Sequence, residues 1–459
     1  MASRTRAIWM SVGYLKNSFA PVNRLPPEVL GLIPSSFHSK RDLINATAVC
    51  RHWRNALLST PDLWCAVDCS GAYTPLREHM FRECLERSRS VPLNVRLTSV
   101  RHLPNIAPHL PRFASLEIQL AVREQLEKIA AHFSQPAPLL QHLTISAAAT
   151  MAQGTLSLSP ALFGGELVAL RTLRLAGFSA LKTHPHFPRL TRFDLEARSV
   201  TRFKIDGLLD VLANMPLLEA LCIRFPTFSR LSTPVAPSPR LVTLPKLKEV
   251  EISVLNGVRD SSPVTPYIPP LLSALILPSV ERVTIGLLPP RGSAALPSSF
   301  EQQLPSFAET ATVDVYAGPG VLDMLFHGRR GSKLLLSGTY CGTFEPRFER
   351  EGFCGTPFLS VKKLVVTFER FSPGVRKNFF ELLGAVERLE SLEIRGKHTH
   401  EVLRLWSWLE QRTICPSLQS LVVVKNPSDS FHLILTQLEA ARKSCGVPFA
   451  EVVEVASDV

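Results

Sequence analysis

The feature that most constrains the fold is a short pattern, P-x-φ-x-x-φ-x-φ, in which φ is an apolar residue. Copies include PRFASLEI from Pro111, PLLEALCI from Pro216 and PSLQSLVV from Pro416. The first φ position of successive copies falls at residues 113, 140, 170, 190, 218, 247, 280, 310, 361, 389, 418 and 450. Most steps are about 28 residues, so one structural unit of that length is repeated along the chain.

Each copy predicts one short strand, because apolar and polar residues alternate over its last positions. The chain must return to the same edge after every strand, so successive strands are expected to be parallel. The step between 310 and 361 leaves room for an extra strand at residues 334–336. We therefore expect at least ten strands in one parallel sheet.

The segments between the strands differ in character. Helical spacing of apolar residues predicts helices over 124–133, 207–215, 375–386, 401–411 and 431–445. The returns at 226–245, 257–272 and 289–305 are rich in Pro, Ser and Gly and are expected to be irregular. Helical returns are thus expected mainly toward the two ends of the array.

The L-x-x-L-x-L core of each copy, with its period, resembles the leucine-rich repeat. This resemblance implies an α/β fold class, with a right-handed solenoid and a curved parallel sheet over residues 91–458. Many leucine-rich repeats place an asparagine after the strand, and here only Asn426 fits that position. The repeats are therefore of a degenerate type.

A different pattern precedes the repeats, over residues 25–64. Pro26 and Pro27 favour a helix start, and Val29 and Ile33 follow at helical spacing. A second helix is predicted from residues spaced three or four apart, namely Leu43, Ala46, Cys50, Trp53 and Leu57. About 40 residues cannot bury so many large apolar groups alone, so this helical unit must dock on something else.

The same stretch resembles the F-box family, whose pattern is L-P-x-E-φ, then I-F/L-x-x-L, D-L, V-C-R/K-x-W and P-x-L-W. The matching residues are Leu25, Pro26, Glu28, Val29, Ile33, Phe37, Asp42, Leu43, Val49, Cys50, Arg51, Trp53, Pro61, Leu63 and Trp64. Two positions depart from the pattern. Pro34 stands where Phe or Leu is usual, and Phe37 stands where Leu is usual. The resemblance implies a small all-helical domain.

The two resemblances predict four segments: a basic, disordered tail over 1–20, an F-box over 21–70, a connecting helix over 71–90 and the repeats over 91–458. The F-box resemblance implies binding to a Skp-type adaptor, which connects to cullin and a RING subunit. It predicts an adaptor-binding surface that includes Leu25, Pro26, Val29, Ile33, Leu43, Val49 and Trp53. The implied function is substrate recognition for a ubiquitin ligase.

The repeats are then expected to hold a protein substrate. Residues between the apolar positions of each strand point away from the core and line one face. The candidate substrate-binding residues are Arg174, Arg192, Asp194, Arg224, Glu251, Arg282 and Tyr316. Mixed charge on this face favours a protein of complementary charge over a polyanion.

Charge and cysteine content restrict the class of protein further. The net charge is +12, and residues 1–112 hold 15 Lys/Arg but only 7 Asp/Glu. A basic excess near the F-box suits an acidic protein partner, whereas no motif points to nucleic acid or a membrane. Nine cysteines without a CxxC pair indicate reduced thiols. We expect a cytoplasmic and/or nuclear protein.

No motif for catalysis, a cofactor or a metal stands out. Residues 328–333 lack the spacing of a phosphate loop. The pairs His184 with His186 and His398 with His400 lack further ligands nearby. The chain is therefore not expected to be an enzyme. Two alternatives stay open: a scaffold that delivers nothing for degradation, and an enzyme whose site lies in the repeat loops.

Overall fold

Two units divide the chain in the computed structural model: Met1–Met151 with Ser159–Leu170, and Ala152–Leu158 with Arg171–Val459. The structure describes residues 12, 17, 19–33, 40–70, 74–121, 124–147, 159–165, 167–178, 187–197, 205–225, 240–254, 268–287, 304–307, 312–318, 321–328, 331–339, 361–369, 379–380, 382–384, 386–396, 398–409, 415–425 and 432–456. Most of the predicted tail, Phe37, the pair His184 and His186, and most of the Pro/Ser-rich returns lie outside the described residues.

The first unit begins with helices and continues into strands. Its helices are α1 Pro27–Leu32, α2 Lys40–Thr47, α3 Arg51–Ser59, α4 Pro75–Arg87, α5 Leu103–Ile106 and α6 Glu124–His132. Its strands are β1 Ala66–Cys69, β2 Leu93–Leu97, β3 Phe113–Leu120 and β4 His142–Ala147. Short 3-10 turns lie at Pro21–Arg24, Pro61–Trp64, Val100–His102, Ala107–Arg112 and Leu162–Gly165.

Strands β1 to β4 pair in chain order, and all three pairings are parallel. The predicted connecting helix is present as α4, whose N-cap Thr74 accepts a hydrogen bond from the backbone of Arg77. Strand β1 was not predicted from the sequence. It pairs with β2, so the chain segment that follows the F-box pattern already forms the first strand of this sheet.

The structure explains the proline of the repeat. In the copy at Pro216, the backbone N–H of Leu218 donates to the carbonyl of Met215 at 3.2 Å, which closes a turn just before the strand. The copy at Pro416 repeats this turn, from Leu418 to Cys415, at 3.1 Å. Proline is favoured at the second position of such turns, because its fixed φ angle matches the backbone conformation required there. Each proline therefore helps to aim the chain into its strand.

The second unit contains the remaining strands. They are β5 Thr172–Phe178, β6 Arg192–Ala197, β7 Ala220–Phe225, β8 Val242–Thr243, β9 Glu249–Val254, β10 Leu275–Ile276, β11 Arg282–Leu287, β12 Thr312–Gly318, β13 Val321–His327, β14 Lys333–Thr339, β15 Lys363–Phe368, β16 Ser391–Gly396, β17 Ser420–Lys425 and β18 Glu451–Ala456. Its helices are α7 Ile205–Ala213, α8 Ile268–Ser273, α9 Thr399–Leu409 and α10 His432–Ser444, with a 3-10 turn at Pro305–Phe307.

Most of these strands form one large sheet in the order β5-β6-β7-β9-β11-β14-β13-β12-β15-β16-β17-β18. Their pairings are parallel apart from the two made by β13. The prediction of an α/β chain with a large, mostly parallel sheet is thus confirmed. The short strands β8 and β10 pair with each other in a separate two-stranded sheet.

The expectation of a uniformly parallel sheet is wrong at β12 to β14. Strand β13 pairs antiparallel with both β12 and β14, and β14 rather than β12 lies next to β11. Only two residues join β12 to β13, and five join β13 to β14. Connections this short permit only antiparallel neighbours, because a parallel pair needs a long crossover. The extra strand predicted at residues 334–336 exists, but as the third strand of this meander.

Two further expectations need correction. The single helix predicted across Leu43 to Leu57 is divided between α2 and α3, because Cys50 is extended, with φ −158° and ψ 173°. The return at 257–272, expected to be irregular, includes most of α8. Helices α6, α7, α9 and α10 agree with the predicted helical returns to within two residues. At the predicted helix over 375–386, the structure shows helix at the described residues 379–380 and 382–384.

Candidate functional site

Helices α1, α2 and α3 bury one apolar side of each helix in a small common core. Helix α3 contacts both of the others. The buried side chains of the three helices are Leu30, Leu43, Ala46, Ala56 and Leu57. Leu43 and Ala46 are three residues apart in α2, and Ala56 and Leu57 are adjacent in α3, so each of these two helices buries one side only.

Other large apolar residues of the same region remain exposed. They are Phe19, Val22, Val29, Leu32, Ile44 and Val49. The exposed fractions of Phe19, Leu32 and Val49 are 68%, 69% and 61%. Single exposed apolar residues are ordinary, but six within about 30 residues of chain are typical of a surface that binds another protein.

The structure distributes the predicted adaptor-binding residues over three levels of burial. Pro26, Val29 and Val49 are exposed, and Leu25, Ile33 and Trp53 are half-buried. Leu43 is different, because only 4% of it is exposed and it belongs to the core of the three helices. Leu43 therefore does not reach the surface in this structure and can support a binding surface only from beneath.

Trp53 has a positioning contact as well as an exposed part. Its indole Nε1 donates a hydrogen bond to Oδ1 of Asn23 at 2.8 Å. His52, the preceding residue of α3, places its Nε2 3.4 Å from the carbonyl oxygen of Leu25. Helix α3 thereby holds the turn Pro21–Arg24 and the residue after it, which places Leu25 and Pro26 beside the helices.

Trp64 is the last residue of the F-box pattern. It is buried, and its Nε1 donates to the carbonyl of Leu57 at 2.9 Å. Two cations cover its ring: Nζ of Lys40 lies 5.7 Å from the ring centroid, and Cζ of Arg87 lies 4.7 Å from it. Lys40 also donates to the carbonyl of Leu63 at 2.6 Å, and burial lowers the pKa of its ammonium group.

The sheet of the second unit brings five predicted substrate-binding residues onto neighbouring strands. Arg174 of β5 aligns with Asp194 of β6, and Cys222 of β7 aligns with both Asp194 and Glu251 of β9. Arg192 lies two residues before Asp194, and Arg224 lies two residues after Cys222, so both share this face of the sheet. We call Arg174, Arg192, Asp194, Arg224 and Glu251, with Arg282 of β11, the charged face.

Ion pairs organise the charged face. Nε of Arg192 lies 3.2 Å from a carboxylate oxygen of Asp194. Nη2 of Arg224 lies 3.3 Å from Oε1 of Glu251. The hydrogen bond to Asp194 raises the pKa of Arg192 above its usual value. These cations are thus neutralised locally, which fits a protein surface of mixed charge better than a polyanion.

Arg282 extends the pairing to the next strand. Its Nη1 lies 2.7 Å from Oε1 of Glu249 on β9. Glu249 lies between apolar positions of its repeat copy and is not among the binding residues predicted from the sequence. The two residues align across the strands, and opposite charges at aligned positions of neighbouring strands are the signal that identifies such a pair.

Cys222 lies in the middle of the charged face but is buried, with only 3% of it exposed. Burial, followed by the charge of Glu251, raises the pKa of this thiol to about 12. A thiol of that pKa stays protonated near neutral pH and is a poor nucleophile. Cys222 therefore adds packing to the face rather than chemistry.

Tyr316 lies apart from the charged face. It belongs to β12, and strands β14 and β13 separate β12 from β11. Tyr316 is 41% exposed and aligns with Asp323 of β13. Asp314 on the same strand lies 2.8 Å from Nε2 of His327, so this meander has its own polar surface. The structure does not bring Tyr316 together with the arginines.

Several exposed residues of the first unit were missed at the sequence level, namely Phe19, Val22, Leu32 and Ile44. The F-box pattern does not specify these positions. The signal that could have identified them is geometric, because Leu32 and Ile44 are apolar but fall off the buried stripes of α1 and α2. A helical projection of these short helices would have placed both residues on the solvent side.

Within the described part of the chain, no group of three His, Cys, Asp or Glu residues could hold a metal ion. The described helices also include none with the length and hydropathy of a membrane span. At the Gly-rich segment 328–333, the carbonyl of buried Ser332 accepts from the backbone of Gly328 at 2.8 Å, in the connection between β13 and β14. This segment turns the chain between antiparallel strands, which a phosphate loop does not do.

Comparison with known families identifies the helical domain near the start of the chain. The family model described as F-box-like matches residues 22–70, from the turn Pro21–Arg24 through α1, α2 and α3 to the end of β1. The chain therefore contains an F-box-like domain, which supports its interpretation as an F-box protein. No curated protein matches the chain.

Proposed function

We propose that the chain is the substrate-recognition subunit of a Skp–cullin–F-box ubiquitin ligase. The F-box-like domain binds the Skp-type adaptor, which brings cullin and the RING subunit. The repeats form a right-handed, leucine-rich-repeat-like solenoid that holds a protein substrate. The observation that carries this proposal is the set of exposed apolar residues, led by Phe19, Leu32 and Val49, on a domain that matches the F-box-like family.

The adaptor half of the proposal follows from the energetics of exposed apolar area. Leaving a large apolar side chain in water costs about 1.5–3 kcal/mol relative to burying it. Leu32 and Val49 leave most of their surface in water, with exposed fractions of 69% and 61%. A partner that covers them recovers that free energy, and an adaptor surface of apolar character with an acidic rim fits the basic N-terminal part.

The substrate half rests on the charged face. Its pairs Arg192 with Asp194 and Arg224 with Glu251 lie on one side of a broad sheet and are partly exposed. Such pairs steer a partner of complementary charge and reject like-charged surfaces. Arginine is also enriched among the residues that dominate protein interfaces. We assign substrate recognition to this face, with Tyr316 as a further contact.

The chain performs no chemistry and needs no cofactor in this proposal. Its contribution is proximity, because it holds substrate lysines near the charged conjugating enzyme and so raises their effective concentration. We place this function in the cytoplasm and/or the nucleus, where free thiols such as those of Cys50 and Cys445 stay reduced.

Affinity purification of the tagged full-length chain tests the proposal. Wild-type protein should recover a Skp-type adaptor together with cullin, and the Leu25→Ala/Pro26→Ala variant should recover less of both. Recovery of the adaptor without cullin would assign the chain to the scaffold alternative. Recovery of neither by the wild-type chain would contradict the proposal.

A further inference from the structure

Thr74, just before helix α4, lies in a sequence context that protein kinases recognise. It precedes Pro75, and Arg77 follows two residues after the proline. Proline has no backbone N–H, so a kinase pocket that offers no acceptor at this position selects it. A basic residue at the next-but-one position adds charge complementarity to the acidic groups of such kinases. No other Ser-Pro or Thr-Pro pair of the sequence has Lys or Arg two residues after its proline.

The structure leaves Thr74 accessible to an enzyme. The residue is exposed, and its backbone is extended, with φ −136° and ψ 148°. Its Oγ1 accepts a hydrogen bond from the backbone of Arg77 at 3.3 Å, which is longer than the usual range. Thr60 also precedes a proline, but it is half-buried and its Oγ1 donates to the carbonyl of Ala56 at 2.8 Å. Of these two threonines, Thr74 is the one that an enzyme can reach.

The surroundings of Thr74 suit a phosphate group. Nη1 of Arg77 donates to the carbonyl of Ser70 at 2.7 Å, which holds this guanidinium near the chain segment that precedes α4. The acidic residue in the first turn of α4 is Glu78, and Arg82 pairs with it at 2.6 Å. A phosphate on Thr74 would therefore meet the free backbone N–H groups of the first turn and the positive end of the helix dipole, with Arg77 nearby.

We propose that Thr74 is a phosphorylation site for a proline-directed protein kinase and that the phosphate stabilises the first turn of α4. The kinase transfers the γ-phosphoryl group of ATP to Oγ1 of Thr74, the hydroxyl proton passes to the catalytic aspartate of the kinase, and ADP leaves. The sequence motif and the exposure assign the site. The position of Thr74 at the start of the helix determines what the modification does.

The effect of the phosphate should extend along α4. Helix formation is cooperative, so a more stable first turn supports the turns that follow it. Arg87 at the other end of the same helix lies over the ring of Trp64, with 4.7 Å between Cζ and the ring centroid. Phosphorylation thus strengthens the helix on which the F-box-like domain packs. The inference is independent of the proposed function, since it uses neither the predicted adaptor-binding residues nor the charged face.

The first test incubates the full-length chain with ATP and a purified cyclin-dependent kinase, and locates the phosphate by peptide mass spectrometry. A synthetic peptide of residues 70–81 is the matched control, because it presents the same motif without the fold. Both substrates should be phosphorylated at Thr74, Pro75→Ala should abolish the reaction, and Arg77→Gln should slow it several-fold. An unmodified peptide would show that the motif is not recognised. A modified peptide beside an unmodified chain would show that the fold protects Thr74. Either result would overturn the proposal.

Hydrogen exchange measures the effect of the phosphate. Exchange over residues 76–80 should be at least about fivefold slower in the phosphorylated chain than in the unmodified chain, and exchange over α10 should not change. Thr74→Asp should slow exchange relative to Thr74→Asn, because both side chains cap a helix and differ mainly in charge. Screening at high salt should reduce both differences. If phosphorylation left exchange at 76–80 unchanged, or if the Asp and Asn variants exchanged equally, the stabilising role of the phosphate would be wrong.

Discussion

The guanidinium group of Arg87 lies over the indole ring of Trp64, with 4.7 Å between Cζ and the ring centroid. Trp64 belongs to the segment that matches the F-box-like family, and Arg87 ends helix α4. Lys40 of α2 also approaches this ring, at 5.7 Å. Three chain segments thus meet at one buried tryptophan, which fixes the F-box-like domain to the helix that follows it.

Removing this contact should lower the stability of the first unit. Arg87→Ala is expected to reduce the free energy of unfolding by about 1–2 kcal/mol, because a half-buried cation–π contact and an ion pair with Glu83 are lost. Urea denaturation followed by circular dichroism measures the change. Arg82→Ala is the matched control, since Arg82 pairs with Glu78 on the same helix and is far more exposed. Equal losses in the two variants would contradict the role given to Arg87.

Acid should destabilise the first unit through His102. This side chain is buried against Phe81, with 5.3 Å between the ring centroids, and burial lowers the pKa of the imidazole. The unfolded chain therefore binds a proton at His102 more readily than the folded chain does. Its stabilising contribution is complete above the ordinary histidine pKa of about 6.5 and is lost as the pH falls below that value.

The variant His102→Gln cannot titrate in this range, so its unfolding free energy should fall less between pH 7 and pH 5 than that of wild type. Urea denaturation at the two pH values measures the difference. A variant with the same pH dependence as wild type would show that His102 does not contribute to acid sensitivity.

The second unit contains a fully buried cation whose removal should be costly. Arg442 of α10 donates from Nη2 to the carbonyl of Cys415 and from Nε to the carbonyl of Val447, each at 3.1 Å. Its guanidinium also lies 4.6 Å from the ring centroid of Phe449. Arg442 therefore connects α10 to the turn before β17 and to the segment before β18.

Arg442→Met keeps much of the volume but leaves these carbonyl groups without their donor. We expect a loss of about 2–4 kcal/mol in the free energy of unfolding, together with faster hydrogen exchange in β18. The neighbouring Lys443→Met is the control, because Lys443 is exposed and should tolerate the change. A loss below about 0.5 kcal/mol for Arg442→Met would contradict this account.

Much of the second unit was predictable because its pattern is local. Each repeat copy predicts one strand, and the buried residues Phe193 and Leu195 alternate with less buried ones along β6 as expected. The order of β12, β13 and β14 was not predictable from that pattern. Buried and exposed residues alternate along a strand whether its neighbour is parallel or antiparallel. Only the length of the connection therefore distinguishes the two kinds of pairing.

In the helices of the F-box-like domain, the sequence pattern predicted neither the helix boundaries nor the exposure of individual residues. The apolar spacing from Leu43 to Trp53 fits one helix, yet the helix is interrupted at Cys50. Tertiary packing of short helices outweighs the periodicity of so few residues. For the same reason the family pattern could not distinguish Leu43, which is buried, from Val49, which is exposed. Family positions identify the domain, whereas burial decides which side chains can contact a partner.

Substrate capture should depend on the charged face. Arg192→Glu/Arg224→Glu places like charges beside Asp194 and Glu251, so we expect substrate proteins recovered with the wild-type chain to be lost while adaptor recovery is unchanged. The control is Arg224→Glu/Glu251→Arg, which keeps an ion pair but reverses its direction; it should retain stability and still impair capture. Quantitative mass spectrometry of the purified complexes measures both effects. If the Arg192→Glu/Arg224→Glu chain still captured every protein that wild type captures, the charged face would not be the substrate-binding surface.

The binding of a purified Skp-type adaptor to the full-length chain decides whether the F-box-like domain is an adaptor-binding domain. We compare wild type with Leu32→Asp/Val49→Asp, which charges two exposed residues of the F-box-like domain, by isothermal titration calorimetry. The control is Leu139→Asp/Val168→Asp, which charges two exposed residues outside that domain. We expect that wild type and control bind equally and that Leu32→Asp/Val49→Asp weakens binding at least about tenfold. Equal adaptor affinity of all three chains, or no binding by wild type, would contradict it.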